Sequence, residues 1–529
     1  MSVRLLPRGR GYAAGDHNRS TPKPVRGRVR SVRTGGVVAR QLTTKAQVNG
    51  YRFLIKRLEH ALVRRDVRML HDPMRSQLQA LVVGTVLGLL VLGGCGVYGL
   101  VRPQGSVGDA TIIVSKNSGS TYVLVEDTLH PVLNLASARL ITGSSEKPTS
   151  VADTKLEPYA RGPLLGIPGA PASLPGSAHK STSMWTVCDS PTVSSDSASE
   201  SIRQTVIADK PVLGSSTVET ARPEDALLVR TGDKTFLIYQ LFRDGRWSPV
   251  RAEVDTDSAP VMRALGLDDV TPRGMTPGLL NSFPLVEPLE VPTVPGAGQP
   301  GAVGSTTVGS VVKSVDVDDD TTYHVVLRDG VQEISAPAAE ILRLADRDGA
   351  APVRTVAPGE LATLKVVEEL PIGDFPQVNP TVLGLATDPT LCRSWSRGTD
   401  EPRAETALLT GRALPLKSGA RPVRLTSADG AGPGLDEVYL PPGSGEYLQV
   451  TGNEADSART ESLFYVNDSG VRFGIPDLET GGTLGLGDSP SRAPWSVVSL
   501  LAPGPTLSAE AALVAHDGLR TAGIDRDGE

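Results

Sequence analysis

Between Arg75 and Arg102 the chain runs for 26 residues without an Asp, Glu, Lys or Arg. The core of that run, residues 80–101, reads ALVVGTVLGLLVLGGCGVYGLV. At about 1.5 Å per residue a helix of that length reaches about 33 Å, enough to cross a hydrocarbon core of about 30 Å. A buried helix in a soluble domain is the competing reading, but such helices seldom stay uncharged for so long. The segment therefore predicts one transmembrane helix over residues 76–101.

Charge divides at the same place. Residues 1–80 carry 18 Lys or Arg against four acids, a balance of +14, and the remainder carries −20. After the apolar run, only Arg102 and Lys116 are basic within the next 20 residues. Basic flanks stay on the cytoplasmic side, which predicts a cytoplasmic N-terminus and an exported C-terminal bulk. A cleaved signal peptide fits less well, because its basic leader is normally short. Leu92-Gly93-Gly94-Cys95 resembles a lipoprotein box. The 75 residues ahead of the apolar run, and the apolar residues after Cys95, argue instead for a thiol inside the membrane.

Residues 1–40 are basic and punctuated by Gly and Pro, which predicts a disordered cytoplasmic tail. Within residues 41–75 the spacing predicts a helix over 43–68. Val48, Tyr51, Ile55, Leu58 and Leu62 recur every three or four positions as one apolar stripe. Lys56, Arg57, Arg64 and Arg65 lie mainly off it. Such a helix rests on the inner leaflet or docks on a cytoplasmic partner.

The exported region, 102–515, reads as β-rich. Gly (56) and Pro (42) disfavour helix interiors, and aromatics are only 4%. No Gly-X-Y period points to collagen, and three Cys exclude a disulfide-dense scaffold. Four runs echo one another as strand, turn and return: Tyr122–Val132, Phe236–Val250, Tyr323–Val331 and Phe464–Pro476. The last three place Gly in the turn, as hairpins favour; the first lacks it and is the weakest echo. Two extend alike, through Leu265-Gly266-Leu267 and Leu484-Gly485-Leu486, towards Phe283-Pro284-Leu285 and Ala493-Pro494-Trp495. The pattern predicts degenerate repeats. Residues 292–310 read as a connecting loop, 151–213 and 351–442 as a central domain, and 516–529 as a polar tail that frays.

Cys188 and Cys392 both follow the span, 204 positions apart. An oxidising exterior favours pairing them over leaving two free thiols. Closing so long a loop stabilises by roughly 5 kcal/mol on the entropic account. Trp185 and Trp395 stand three residues from these cysteines and are expected beside the bridge.

A search for chemistry returns little. None of the twelve Lys follows a Gly, so no P-loop is present. Gly296-Ala297-Gly298-Gln299-Pro300-Gly301 has a dinucleotide-type spacing but no strand-to-helix frame. The seven His form no metal pair. Asp316, Asp318 and Asp320 begin like a calcium loop, yet Thr321 and Leu327 occupy the positions that need Gly and Glu. Ser144-x-x-Lys147 and Ser177-x-x-Lys180 lack the Lys-Thr-Gly partner of penicillin-binding enzymes. No catalytic, cofactor-binding or metal residue is assigned.

The segment Gln47-Val48-Asn49-Gly50-Tyr51-Arg52-Phe53-Leu54 resembles the cytoplasmic segment of EccB, a membrane component of the type VII (ESX) secretion system of mycobacteria and related actinobacteria. Asn134–Leu140 and Gly162–Pro171 resemble two further family segments. Residues 185–189 (WTVCD), 450–453 (VTGN) and 504–508 (GPTLS) also fit, and the matches keep the family's order from about 45 to 515. The resemblance implies a single-pass inner-membrane protein with a cytoplasmic amphipathic helix, one transmembrane helix and a large β-rich (α+β) periplasmic region. That region would hold degenerate repeats around a central domain. It implies a structural core subunit of the secretion complex, supporting protein export and assembly of the periplasmic part of the channel. Implied partners are the EccC motor ATPase, EccD, EccE, the MycP protease, other EccB copies and membrane lipid, with no nucleic acid. It implies that residues 43–68 dock on cytoplasmic partner domains, and that Cys188 and Cys392 are the family's periplasmic pair. ATP and ATPase activity are implied by the family alone; the alternatives are an ATPase component of the same system and a stand-alone envelope-binding protein.

Overall fold

In a computed structural model of the protein, residues 44–65, 73–101, 107–108, 110–179, 181–192, 201–346, 353–430, 432 and 434–517 are described. Two compact units, 1–102 and 103–529, divide the chain. The expected disordered tail, 1–40, and most of the expected C-terminal tail lie outside the described residues.

In the first unit, α1 (Lys45–Arg64) starts behind Thr44, whose N–H donates to Gln47 Oε1 at 3.1 Å and so satisfies a group the helix leaves open. It stops at Arg65, which turns into the left-handed region at φ 54°. The helix is therefore shorter than the expected 43–68 at both ends. Helix α2 (Pro73–Val101) opens on a proline, which has no N–H to leave unsatisfied at a helix start. It begins three residues ahead of the expected 76. Leu78–Tyr98 is long and apolar enough to cross a membrane, and its side chains are exposed.

The second unit is built mostly of small sheets. β1 (Ile112–Ser115), β2 (Thr121–Val125) and β3 (Thr128–Val132) are consecutive antiparallel strands. α3 (Leu135–Thr142) follows, and β4 (Thr149–Val151) returns parallel to β1. β5 (Ala160–Arg161) and β6 (Leu164–Leu165) then run parallel to β3. β7 (Thr182–Thr192), β8 (Ser201–Ile207) and β9 (Val218–Thr220) belong to a different, central sheet.

The first connectivity then recurs. β10 (Asp225–Thr231), β11 (Lys234–Arg243) and β12 (Arg246–Glu253) are antiparallel, α4 (Ala259–Ala264) follows, and β13 (Arg273–Gly274) is parallel to β10. After α5 (Pro277–Ser282), Leu285 and Leu289 bridge in parallel to β12. Next come β14 (Val311–Val315), β15 (Thr321–Val326), β16 (Val331–Ile334), α6 (Ala336–Ala345) and β17 (Arg354–Thr355), the last parallel to β14. α7 (Pro358–Leu361) leads to a parallel bridge from Val366 to Val331. β18 (Thr381–Val382) joins β10.

β19 (Thr390–Gly398), β20 (Glu405–Gly411), β21 (Val423–Arg424) and β22 (Glu437–Tyr439) complete the central sheet, in the order β21-β22-β8-β7-β19-β20-β9. A fourth small sheet uses β23 (Gly445–Thr451), β24 (Leu463–Asn467), β25 (Val471–Ile475), α8 (Leu478–Thr483) and β26 (Ser491–Pro494), parallel to β23. α9 (Trp495–Val498) precedes β27 (Ala502–Pro503), parallel to β25. α10 (Ala509–Ala512) and β28 (Ala515–His516) carry the chain back to β6. The central sheet spans 182–220 and 390–439. It starts later than the expected 151 and 351, because residues 149–165 and 354–366 supply return strands to their own small sheets, and its first stretch runs past 213 to include β9.

Each of the four sequence echoes lies on the second and third strands of one small sheet. The echo without Gly turns as tightly as the others: Glu126 and Asp127 both take positive φ, 48° and 61°, in a two-residue loop. The Leu-Gly-Leu echo is a helix stop. Gly266 follows α4 at φ 65°, its N–H donating to Arg263 O while Leu267 N donates to Met262 O. Gly485 follows α8 at φ 71° with the same two bonds, to Gly482 and Gly481. This is the paired 5→2 and 6→1 closure for which glycine is favoured, and the leucines before the glycines drop into the core. The Pro-containing echoes do not correspond. Ala493-Pro494 ends β26, which pairs with a first strand, whereas Leu285 bridges a third strand.

Packing joins the small sheets in pairs. Val261 and Leu265 beside α4 share one apolar cluster with Ile341 and Leu342 of α6. Ala136 and Leu140 of α3 share another with Tyr465, Phe473 and Leu484. The central sheet lies between in sequence, and its Trp185, Val187, Leu391 and Trp395 pack with residues of the second and fourth small sheets.

Gly266→Ala places a side chain in a left-handed cap with open space around it. It should cost about 1 kcal/mol in equilibrium denaturation, purely from backbone conformation.

Candidate functional site

Strands β7 and β19 pair antiparallel, and the register sets Cys188 directly opposite Cys392. The two are disulfide-bonded with Cα atoms 4.0 Å apart. Both are fully buried, among Ile207, Val218 and Leu409. The bridge therefore ties two stretches 204 residues apart at the centre of the central sheet.

The same register pairs Trp185 with Trp395, but not beside the bridge. Side chains alternate faces along a strand, and three is an odd spacing. The indoles thus pack on the opposite face from the sulfurs, in the cluster with Phe283 and Leu408.

Buried polar side chains hold the second small sheet to the central one. Asp189 of β7 accepts from Thr276 N and Thr276 Oγ1, both at 2.8 Å. Thr276 also caps α5, accepting from Leu279 N at 3.2 Å, and Gln204 Nε2 donates to its hydroxyl. Arg273 donates to the carbonyls of Asp388 and Pro389, both at 2.8 Å. Burial pushes the Asp189 carboxyl from its ordinary 3.8 up to about 6, against the bonds from Thr276. At the fourth small sheet, Glu446 of β23 accepts from Ser177 Oγ at 2.6 Å, and burial pushes it up to about 7. Beside it, His179 Nε2 lies 2.6 Å from Asp209 Oδ1, which also receives Lys417 Nζ.

The stripe on α1 is exposed throughout: Val48, Tyr51, Ile55, Leu58 and Leu62 are 41% to 77% open. Phe53 and Leu54 are exposed too, so the apolar surface is wider than the stripe alone.

The weak chemical motifs land on ordinary structure. Gly296–Gly301 lies in turns with no helix behind it. Asp316 Oδ1 accepts from the N–H groups of Asp318 and Asp320, each at 2.9 Å, which makes the acidic run a self-bonded turn. Ser144 lies just past α3, and Ser177 is engaged by Glu446, while Lys180 lies outside the described residues. Among the described residues no cluster of metal-ligating side chains occurs.

A family model described as "Type VII secretion system ESX-1, transport TM domain B" (EccB) matches residues 40–521. The chain belongs to the EccB family. The relative named "ESX-1 secretion system ATPase EccB1", from Mycobacterium tuberculosis strain H37Rv, is 33% identical over 90% of this chain and 96% of its own length. A chain in the structure of an intact ESX-5 inner membrane complex is 33% identical, with a TM-score of 0.66 over 92% of this chain and 98% of that one. A chain in the structure of an EccB3 dimer from the ESX-3 core complex is 34% identical, with a TM-score of 0.64 over 77% of this chain and 100% of that one. Like other members of the family, the protein is a structural subunit of an ESX secretion complex.

Sequence reading missed the Asp189–Thr276–Gln204 node. A Thr three residues before Leu279, ahead of Pro277, signals a helix cap, but nothing local to 189 announces its partner 87 residues away.

Replacing both Cys188 and Cys392 by Ala should lower the stability of the second unit by about 3–5 kcal/mol, read by denaturation with and without reductant. Folded Asp189 holds its proton more tightly than the unfolded chain does. Its stabilising contribution is therefore complete below pH 3.8 and is lost as pH rises through about 6. Between pH 4 and 7 the native protein should lose on the order of 3 kcal/mol that Asp189→Asn does not lose. Glu446 adds a loss of the same sign extending to about pH 7.

Proposed function

We propose that the chain is a core subunit of an ESX-type secretion complex in the inner membrane, with residues before Pro73 in the cytoplasm and those after Arg102 in the periplasm. The observation that carries this orientation is the coincidence of the charge boundary with the apolar helix: +14 over residues 1–80, −20 from residue 81 onwards. The disulfide supports the same side for the second unit, since an oxidising compartment preserves it. Relatives from ESX-1, ESX-2, ESX-3 and ESX-5 share 33% to 37% identity with the chain, so the level of identity does not single out one system.

In this reading the exposed stripe of α1 docks on cytoplasmic partner domains of EccC, EccD or EccE, while the second unit meets other copies of the chain and the MycP protease in the periplasm. The four small sheets arose by duplication of one unit, because three antiparallel strands, a helix and a strand parallel to the first recur in the same order. Relatives carry the word ATPase in their names. The alternative reading is therefore an ATPase component of the same complex, and no residue of this chain is assigned to it.

Purification of the tagged full-length chain from its native membrane in gentle detergent should retain EccC, EccD and EccE. Recovery of the chain alone, with those partners present in the same membranes, would overturn the core-subunit reading. Leu58→Glu puts a charge on the docking stripe, and should deplete the cytoplasmic partners while leaving the chain membrane-inserted. Saturable ATP binding by the purified chain, abolished by one point mutation, would favour the ATPase reading.

A further inference from the structure

The third small sheet is incomplete along one strand. The bonds from Val326 N to Ser310 O and from Asp316 N to Asp320 O show that the even-numbered residues of β15 turn their backbone groups towards β14. The odd-numbered ones turn theirs the other way, where Tyr323 meets Ile334 and Val325 meets Gln332. Thr321 follows the same alternation, and by register it would face Ala336. Ala336 has already left the sheet as the first residue of α6. Ser335 caps that helix, accepting from Ala338 N at 3.3 Å, and Pro337 stands in its first turn. Thr321 and Thr322 are thus left without a counterpart on β16. In the first and fourth small sheets the third strand reaches the start of the second: Val132 faces Thr121 and Ile475 faces Leu463.

A groove of about 710 Å³ lies over this gap, within the range of about 300–1,000 Å³ that ligand clefts occupy. Thr321 and Thr322 line one side, and Val366, which bridges to the far edge of β16, lines the other with Glu368. Glu333 and Ile334 close it where β16 stops. Thr321, Thr322, Glu333, Val366 and Glu368 are all exposed, Val366 at 70%, so a ligand reaches them directly.

Glu333 and Glu368 are the charged residues of the lining, and no Lys or Arg joins them. Lys313 and Lys365, on the flanking stretches, stand outside it. Burial pulls His324, opposite Glu333, below the usual histidine range, so it supplies no cation at neutral pH. An open strand end offers backbone pairing to any extended chain. The two carboxylates make the choice, since a segment carrying Lys or Arg gains where one carrying Asp or Glu loses.

We propose that this groove receives an extended, cationic segment of a partner protein as an added strand in the line of β16. Its backbone pairs with Thr321, its basic side chains meet Glu333 and Glu368, and an apolar side chain between them lies on Val366.

The test titrates the full-length protein in detergent with a fluorescein-labelled peptide of alternating lysine and valine, KVKVKV, read by anisotropy. Binding should saturate, and the glutamate counterpart EVEVEV should not bind. N-methylation of the KVKVKV amides should weaken binding about tenfold or more, because an added strand needs its backbone bonds. Glu333→Lys combined with Glu368→Lys, both at exposed positions, should weaken it about tenfold with the unfolding temperature unchanged. Thr321→Pro, which removes the open N–H, should weaken it as well, whereas Thr321→Val should not. Equal binding of the two peptides, no loss on N-methylation, an unchanged affinity in the double variant, or no saturable binding would each overturn the proposal. Self-association of the chain that the double variant abolishes would seat a second copy in the groove and overturn it too.

Discussion

The pairing of β7 with β19 is the contact on which the second unit depends. It joins two stretches of chain 204 residues apart at their cysteines. Everything between them, including the second and third small sheets, is thereby a loop closed at its base. Loop closure on that scale is entropically costly, so the covalent bridge acts mainly by restricting the unfolded chain. The first and fourth small sheets flank this loop in sequence, and the short strand β28 brings the chain end back to β6.

The same pairing orders the chemistry on either side of the sheet. One face carries the sulfurs and a small aliphatic cluster. The other carries both indoles, Arg393 and the surfaces on which the second and fourth small sheets rest. Polar side chains such as Asp189 are buried there because they hold Thr276, the residue that caps α5 of another sheet. Their raised carboxyls mean that part of the interface free energy is given up at neutral pH in exchange for a fixed docking geometry.

Much of this was legible residue by residue. The apolar run at 80–101, the stripe on α1, the four hairpins and the candidate cysteine pair all rest on local spacing, and local spacing survives in sequence. The Leu-Gly-Leu echoes were visible as repeats, although their meaning as helix stops needed the φ values. What sequence reading placed wrongly follows one physical pattern. The indoles were expected beside the bridge because three residues are close in sequence, yet in a strand an odd spacing sends them to the other face. The central domain was drawn too early on both sides because two-residue return strands such as β5 and β17 carry no periodicity of their own; they pair only because a strand edge stands open beside them.

By itself, the sequence determined the elements whose causes are local. These are a membrane-length helix set by uncharged length, an amphipathic helix set by three-and-four spacing, hairpins set by turn residues, and a charge asymmetry that orients the chain. Tertiary structure alone decided which strands share a sheet, which face each side chain takes, and which buried polar groups find partners. Those outcomes depend on register between segments tens to hundreds of residues apart. A shift of one residue would exchange the two faces of β19, carrying Trp395 to the side of the disulfide and Cys392 to the side of the indoles.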